Sequence, residues 1–126
     1  MTSPFGSRKH PVTGQMDQFH YGIDLRANFE SVHAVLEGEV IALGFKPVLG
    51  RFVKIKTHGF VLTYGHLSVI LAGLGRQVRA GELIAISGAS GRVTGPHLHF
   101  GVNYFGKPIN PLRFLSELMN LGNLKF

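Results

Sequence analysis

The sequence contains no cysteine among its 126 residues. Zinc sites built from thiolates, disulfide bonds and cysteine nucleophiles are therefore excluded. Any transition metal must be held by nitrogen and oxygen atoms, a donor set that suits zinc without excluding other divalent ions. The HExxH motif is also absent. Because that motif supplies a glutamate base to many zinc peptidases, a base here must come from other residues.

Acidic residues are scarce as well, seven against 13 lysines and arginines, which gives a formal net charge of +6. Such a charge favours an anionic partner. The basic residues are scattered, and only Arg51, Lys54 and Lys56 approach a cluster. Lys54 and Lys56 alternate with Val53 and Ile55, as on the solvent face of a strand. No nucleic-acid-binding signature accompanies them, so we expect no nucleic acid partner. An acidic polymer surface, such as a bacterial envelope, and a merely soluble basic surface both fit the charge.

Long apolar runs are missing too, so the sequence predicts no transmembrane span. A secretory signal is not visible before the first phrase of the domain, and we expect the export signal to lie outside this chain. Hydrophobic residues make up 44% of the sequence and charged residues 16%. This composition and length predict a single folded domain over residues 1–126, with enough apolar side chains for a core without disulfides. We expect it to be a monomer.

Period-two patterns predict strands at 38–44, 52–57, 60–64, 82–86 and 97–102. His58 and Gly59 are expected to form a hairpin turn, and residues 68–72 are compatible with a short helical turn. A helix is predicted near the C-terminus, with Asn110 as N-cap and Pro111 in the first turn. Its apolar face would contain Leu112, Leu115, Leu118 and Met119. The fold class predicted is an antiparallel all-β domain with one terminal helix.

Histidines occur at spacings that suit a metal site on extended chain. His97 and His99 would share one face of a strand, because successive side chains point to opposite faces. His20 and Asp24 are four residues apart and can also return to one side. Two imidazoles and one carboxylate leave a fourth zinc position open for water, as in a catalytic site. The candidate ligands are His20, Asp24 and His99, whereas His10, His33 and His58 are expected to be ordinary surface or core residues.

Four phrases occur in a fixed order: Ser3-Pro4-Phe5-Gly6-Ser7-Arg8, His20-Tyr21-Gly22-Ile23-Asp24-Leu25, Tyr64-Gly65-His66-Leu67-Ser68 and Gly95-Pro96-His97-Leu98-His99-Phe100. Together they closely resemble the lysostaphin/LytM-type zinc metallopeptidases, bacterial peptidoglycan endopeptidases, over about residues 2–115. The resemblance implies a small antiparallel β-sheet domain with an open groove over the metal. It also implies peptidoglycan peptides as substrate and a periplasmic, cell-envelope or extracellular location.

Carried over by position, the resemblance makes His20, Asp24 and His99 the zinc ligands and His66 and His97 the catalytic histidines. We assign His97 as the general base that takes a proton from water, since imidazole titrates near neutral pH. His66 would then stabilise the oxyanion or give a proton to the leaving amine. The two roles can be exchanged. Because none of the five residues is missing, the resemblance favours an active enzyme.

Other interpretations remain open at this stage. A non-catalytic wall-binding or hydrolase-activating domain of the same fold is the main alternative, and an intracellular or conjugative-element protein acting on another peptide is a third. Tyr64 would share a face with His66 if its strand were regular, and its hydroxyl could then line the groove, but a tyrosine on a strand is more often a packing residue, which is the interpretation we favour. Ser90 is not expected to be a nucleophile, because Arg92 interrupts the Gly-x-Ser-x-Gly pattern. Arg51 and the run at 92–94 are expected to affect which cross-bridge is accepted.

Overall fold

The computed structural model describes residues 22–91 and 95–120, which form an antiparallel sheet and a C-terminal helix. The strands are β1 (Ile23–Arg26), β2 (Ser31–His33), β3 (Gly38–Lys46), β4 (Gly50–Thr57), β5 (Phe60–Ile70), β6 (Gln77–Val78), β7 (Leu83–Ser87), β8 (His97–Tyr104) and β9 (Lys107–Ile109), followed by helix α1 (Pro111–Asn120). The main sheet order is β1-β8-β5-β4-β3-β6, with β7 paired to β5 and β2, and β9 paired to β8. The predicted antiparallel all-β class is confirmed.

Two faces of this sheet have different chemistry. On one face, Val53 pairs with Tyr64 and Tyr64 with Phe100, while Leu62 pairs with Val102. All five side chains are buried in the core. Leu115 and Leu118 of α1 pack against the same core. The opposite face therefore displays the alternate residues of β1, β8, β5 and β4, which include Asp24, His99, Thr63 and Lys54.

The predicted strands are present, and β3, β4, β5 and β8 extend beyond their predicted bounds. His58 and Gly59 form the predicted turn, with φ of 48° and 88°. The helical turn considered at 68–72 is wrong, because β5 continues to Ile70 and pairs there with β7. A strand edge that finds a partner gains ladder hydrogen bonds, which a single helical turn could not supply in the same place.

The C-terminal helix begins as predicted. The side-chain Oδ1 of Asn110 accepts a hydrogen bond from the Leu112 backbone N–H at 2.9 Å, and Pro111 occupies the first position of α1. The predicted apolar face is only partly correct. Leu115 and Leu118 pack on the core, but Met119 is 63% exposed and Leu112 is exposed as well. Met119 follows Leu118 by one residue, and the rotation of the helix between these two positions turns the Met119 side chain toward solvent.

Candidate metal and catalytic site

Strands β1 and β8 bring an aspartate and a histidine directly opposite each other. Asp24 pairs with His99 and Arg26 pairs with His97 in the antiparallel register. Since Ile23 of β1 and Phe100 of β8 face the core, the alternation places all four side chains on the opposite face of the sheet. The Asp24 Oδ1 and His99 Nδ1 atoms lie 3.2 Å apart. The pairing of β1 with β8 thus joins two sequence phrases that are 75 residues apart.

His66 reaches the same face through an irregularity in β5. Tyr64 pairs with Val53 and Leu67 with Arg51, so β5 advances three residues while β4 advances two. The extra residue is a β-bulge, which locally redirects side chains. In a regular strand His66 would point into the core with Tyr64, but its φ of 58° turns it away from that direction. The bulge is therefore what adds a third polar side chain to the site.

Two backbone carbonyls hold His66 in this unusual conformation. The His66 backbone N–H donates to the Leu49 carbonyl at 2.8 Å, and its ring Nδ1 lies 2.9 Å from the Ser90 carbonyl oxygen. Because a carbonyl can only accept, Nδ1 must donate, and the neutral ring then has its lone pair on Nε2. Nε2 lies 3.7 Å from Asp24 Oδ1. The chain thus presents a fixed imidazole acceptor toward the carboxylate.

The donor atoms of Asp24, His66 and His99 all lie within 4.8 Å of one another. The His66 and His99 rings meet edge to face, with centroids 5.9 Å apart. A carboxylate oxygen and an imidazole lone pair directed at each other are electrostatically unfavourable unless a proton or cation lies near both. Imidazole nitrogens and a carboxylate oxygen are also donors that zinc accepts. The residues present therefore fit a divalent transition-metal ion.

Burial and neighbouring charges shift the pKa values of two site residues. Burial raises the pKa of Asp24, but its hydrogen bond with His99 and the charges of His99, His66 and His97 outweigh this effect and leave the pKa below its ordinary value. Burial lowers the pKa of His66, and the Ser90 carbonyl and Asp24 oppose this only in part. Near neutral pH the site therefore contains an ionised carboxylate beside a neutral imidazole. These are the protonation states that metal binding requires.

His97 lies on the same face as His99 but outside the group of atoms within 4.8 Å. Its backbone N–H donates to the Gly88 carbonyl at 3.0 Å, which anchors the start of β8. Its side chain is partly exposed and lines a surface cavity of about 450 Å³ together with Arg26, Asn28, Glu30, Gly95 and Pro96. His97 thus lies between the polar cluster and a space large enough for a substrate group.

Each sequence-predicted site residue can now be placed, except His20, which lies outside the described residues, as does His10. Asp24, His99 and His66 come together, and His97 borders them. His33 and His58 are not part of the cluster among the described residues, as predicted. Ser90 has a structural role, since its hydroxyl donates to the Leu67 carbonyl at 2.6 Å and accepts from the Arg51 N–H at 3.0 Å.

Tyr64 is a packing residue, the interpretation that the sequence favoured, and its hydroxyl does not line the groove. Tyr64 is 1% exposed, and its hydroxyl accepts a hydrogen bond from the Val35 backbone N–H at 3.0 Å. It therefore belongs to the core, and the bulge is the reason that it does not share a face with His66. Sequence reasoning also missed the carbonyls of Leu49 and Ser90, because a backbone acceptor leaves no residue-type signal.

A known protein family matches most of this chain. The model of peptidase family M23 matches residues 18–111. The chain belongs to peptidase family M23. It is 38% identical over 116 residues to the peptidoglycan DD-endopeptidase ShyB of Vibrio cholerae, a match that covers 90% of this chain and 27% of ShyB. The resemblance stated from the sequence phrases is thereby confirmed.

Solved structures of M23 catalytic domains have the same fold as this chain. A mutant of the catalytic domain of the prophage-encoded M23 protein EnpA from Enterococcus faecalis superposes with a TM-score of 0.74 at 32% identity, covering 87% of this chain and 86% of that one. The catalytic domain of lysostaphin from Staphylococcus simulans gives 0.77 at 27% identity, covering 90% of each chain. The predicted lysostaphin/LytM type of fold is confirmed.

The chain spans about a quarter of the length of the curated relatives it matches. In the part of the chain that the structure describes, no helix is both long and apolar enough to cross a membrane.

Proposed function

We propose that this chain is a zinc metalloendopeptidase that hydrolyses peptide bonds in the stem peptides or cross-bridges of bacterial peptidoglycan. The observation that supports this most directly is the convergence of Asp24, His66 and His99 on one point of the sheet face. Membership of family M23 and the likeness to a peptidoglycan DD-endopeptidase favour the same activity. We propose a periplasmic, cell-envelope or extracellular location for the same reason.

His20, Asp24 and His99 are the proposed zinc ligands. The carboxylate of Asp24 and the ring of His99 meet on paired strands, which fixes their separation without a mobile loop. Ligands on rigid elements are held with less entropic cost than ligands on loops. His20 is assigned by its position in the phrase that contains Asp24. Zinc bound by these three residues would lower the pKa of a coordinated water to about 7 and polarise the scissile carbonyl.

His66 and His97 are the proposed proton carriers and oxyanion donors. The Ser90 carbonyl keeps the His66 proton on Nδ1, so Nε2 can accept a proton from the attacking water. Once protonated, Nε2 can instead donate a hydrogen bond to the oxyanion. His97 is one pleat from His99 and next to the cavity, where it can reach the other side of a bound peptide. We keep His97 as the base, with the two roles exchangeable.

The experiment uses purified peptidoglycan incubated with the zinc-loaded chain and with Asp24→Ala and His99→Ala. The unmodified chain should release soluble peptide fragments, and each variant should lose bound zinc and release none, because one of three protein ligands is gone. Lys107→Met, on the edge strand β9, is the matched control and should behave as the unmodified chain. Binding to peptidoglycan without release by the zinc-loaded chain would support the non-catalytic alternative and refute the proposal.

A further inference from the structure

Lys54 lies on the same sheet face as the metal and catalytic cluster. It pairs with Thr63, and Thr63 pairs with Gly101, so these three residues form a row across β4, β5 and β8. His99 is in the next row on that face, two residues from Gly101 along β8. With strands about 4.8 Å apart and a rise of about 3.4 Å per residue, the Lys54 and His99 Cα atoms are roughly 12 Å apart. An extended peptide covers that distance in about four residues.

Lys54 and Lys46 flank one aromatic ring. The Lys46 Nζ atom lies 5.2 Å and the Lys54 Nζ atom 5.9 Å from the centre of the Phe52 ring. Phe52 is only 6% exposed although its strand position is on the site face. A Cβ built on Gly44 would lie 3.6 Å from the ring, which places the ring over β3. The cation–ring contacts keep both ammonium groups near this face.

Among the described residues, neither of these two charges has an acidic partner. None of the ion pairs within 22–91 and 95–120 includes Lys46 or Lys54. Burial of Lys54 lowers its pKa, and the neighbouring charge of Lys46 lowers it further. Two like charges around a buried ring are mutually unfavourable, and a bound anion would relieve the repulsion.

Among the described residues, Thr63 and Gly101 lie between this pair and His99 along the row of Lys54. Both are buried and have small side chains. A Cβ on Gly65 would touch the Leu49 side chain at 2.4 Å, so Leu49 covers the neighbouring row instead. The two residues between His99 and Lys54 thus add little side-chain bulk of their own to this face.

We propose that Lys46 and Lys54 form a subsite that binds a free carboxylate of the peptide substrate, within about four residues of the scissile bond. The inference rests on the proposed function. A peptide ends in a carboxylate unless that group is amidated, so this subsite would make the charge state of the substrate peptide a determinant of specificity. The lysines are binding residues in this account and take no part in proton transfer.

The test compares synthetic stem peptides that contain free carboxylates with the same peptides amidated at each carboxylate in turn. Equilibrium binding is measured on the zinc-loaded chain with a peptide that has no bond to cleave, and kcat/KM is measured with a cross-linked peptide. Lys46→Met and Lys54→Met keep an apolar stem over Phe52. Lys107→Met, whose position on β9 pairs with Tyr104 on the other side of the sheet, removes the same charge at a distance.

The unmodified chain and Lys107→Met should bind the carboxylate form about tenfold to a hundredfold more tightly than one particular amide, the range for a hydrogen bond to a charged group. Lys54→Met should reduce this ratio to near one, mainly through KM, and Lys46→Met should reduce it in part. Equal binding of both forms by the unmodified chain, or an unchanged ratio in Lys54→Met, would overturn the inference.

The two proposals fail differently. Cleavage without any preference for a carboxylate would refute the subsite and leave the peptidase activity intact. Lysine-dependent binding of the carboxylate form without cleavage would support the subsite and refute the activity.

Discussion

Replacement of His66 by asparagine separates the catalytic role of this side chain from its structural one. The backbone at His66 has a φ of 58°, a region that asparagine tolerates better than most residues. The asparagine Nδ2 atom can occupy the position of the histidine Nδ1 and donate to the Ser90 carbonyl, an interaction that spans 2.9 Å in the present structure. No asparagine atom corresponds to Nε2. The variant therefore keeps the bulge and removes the atom that faces Asp24.

The expected magnitudes follow from these contacts. Loss of a positioned proton carrier costs about 10²–10⁴ in rate, which is about 3–5 kcal/mol of barrier. The free energy of unfolding should change by less than about 1 kcal/mol, because the backbone conformation and the Ser90 contact remain. His66→Ala is less suitable, since alanine at this φ costs about 1–2 kcal/mol and leaves the partly buried Ser90 carbonyl without its donor.

The assay measures zinc content, urea unfolding and single-turnover hydrolysis on the same preparation of His66→Asn. We expect zinc retained, stability nearly unchanged and a rate reduced by at least about a hundredfold. Loss of zinc would mean that His66 is a ligand, as its distance from Asp24 would also permit. Zinc retention with a nearly normal rate would refute the catalytic role of His66.

Three further predictions concern metal, pH and the core. Chelation should abolish hydrolysis and zinc should restore it, whereas a metal-free preparation with full activity would refute the metal site. Activity should fall as pH drops below about 6.5, because ligand and base imidazoles must be neutral; burial lowers the pKa of His66, so its neutral form persists to lower pH than that of an exposed histidine. A rate that stays unchanged down to pH 4 would contradict this prediction. Tyr64→Phe should lower the free energy of unfolding by about 1–3 kcal/mol, since it leaves the buried Val35 N–H unpaired; an unchanged urea midpoint would contradict it.

The sequence was sufficient to predict β8 and the first part of β5, two of the strands that form the site, but not β1. Alternation along 97–102 put His97 and His99 on one face, and the structure agrees because Leu98 and Phe100, the two neighbours of His99, pack on the core side. The resemblance likewise brought together phrases separated by 75 residues. Hydrophobic periodicity is reliable here because one face of this sheet is buried and a slip by one residue would expose it.

The same periodicity failed at Tyr64 and His66. A bulge adds one residue to β5, and no pattern of residue types in this segment signals a positive φ at a histidine. The restraint comes from the Leu49 and Ser90 carbonyls, which are backbone atoms of distant loops. The short strands β1, β2, β6 and β9 were missed for a related reason. Two to four residues contain too little alternation to be recognised, and their pairing depends on partners elsewhere in the chain.

The most direct test of the account is mass spectrometry of the fragments released from several chemically distinct peptidoglycans in water enriched in heavy oxygen. The zinc-loaded chain should release fragments with one heavy oxygen atom at each new carboxyl terminus, and the masses would identify the peptide bond cleaved. Asp24→Ala should release none. Fragments that lack the label, or equal release by Asp24→Ala, would contradict peptide hydrolysis at this site.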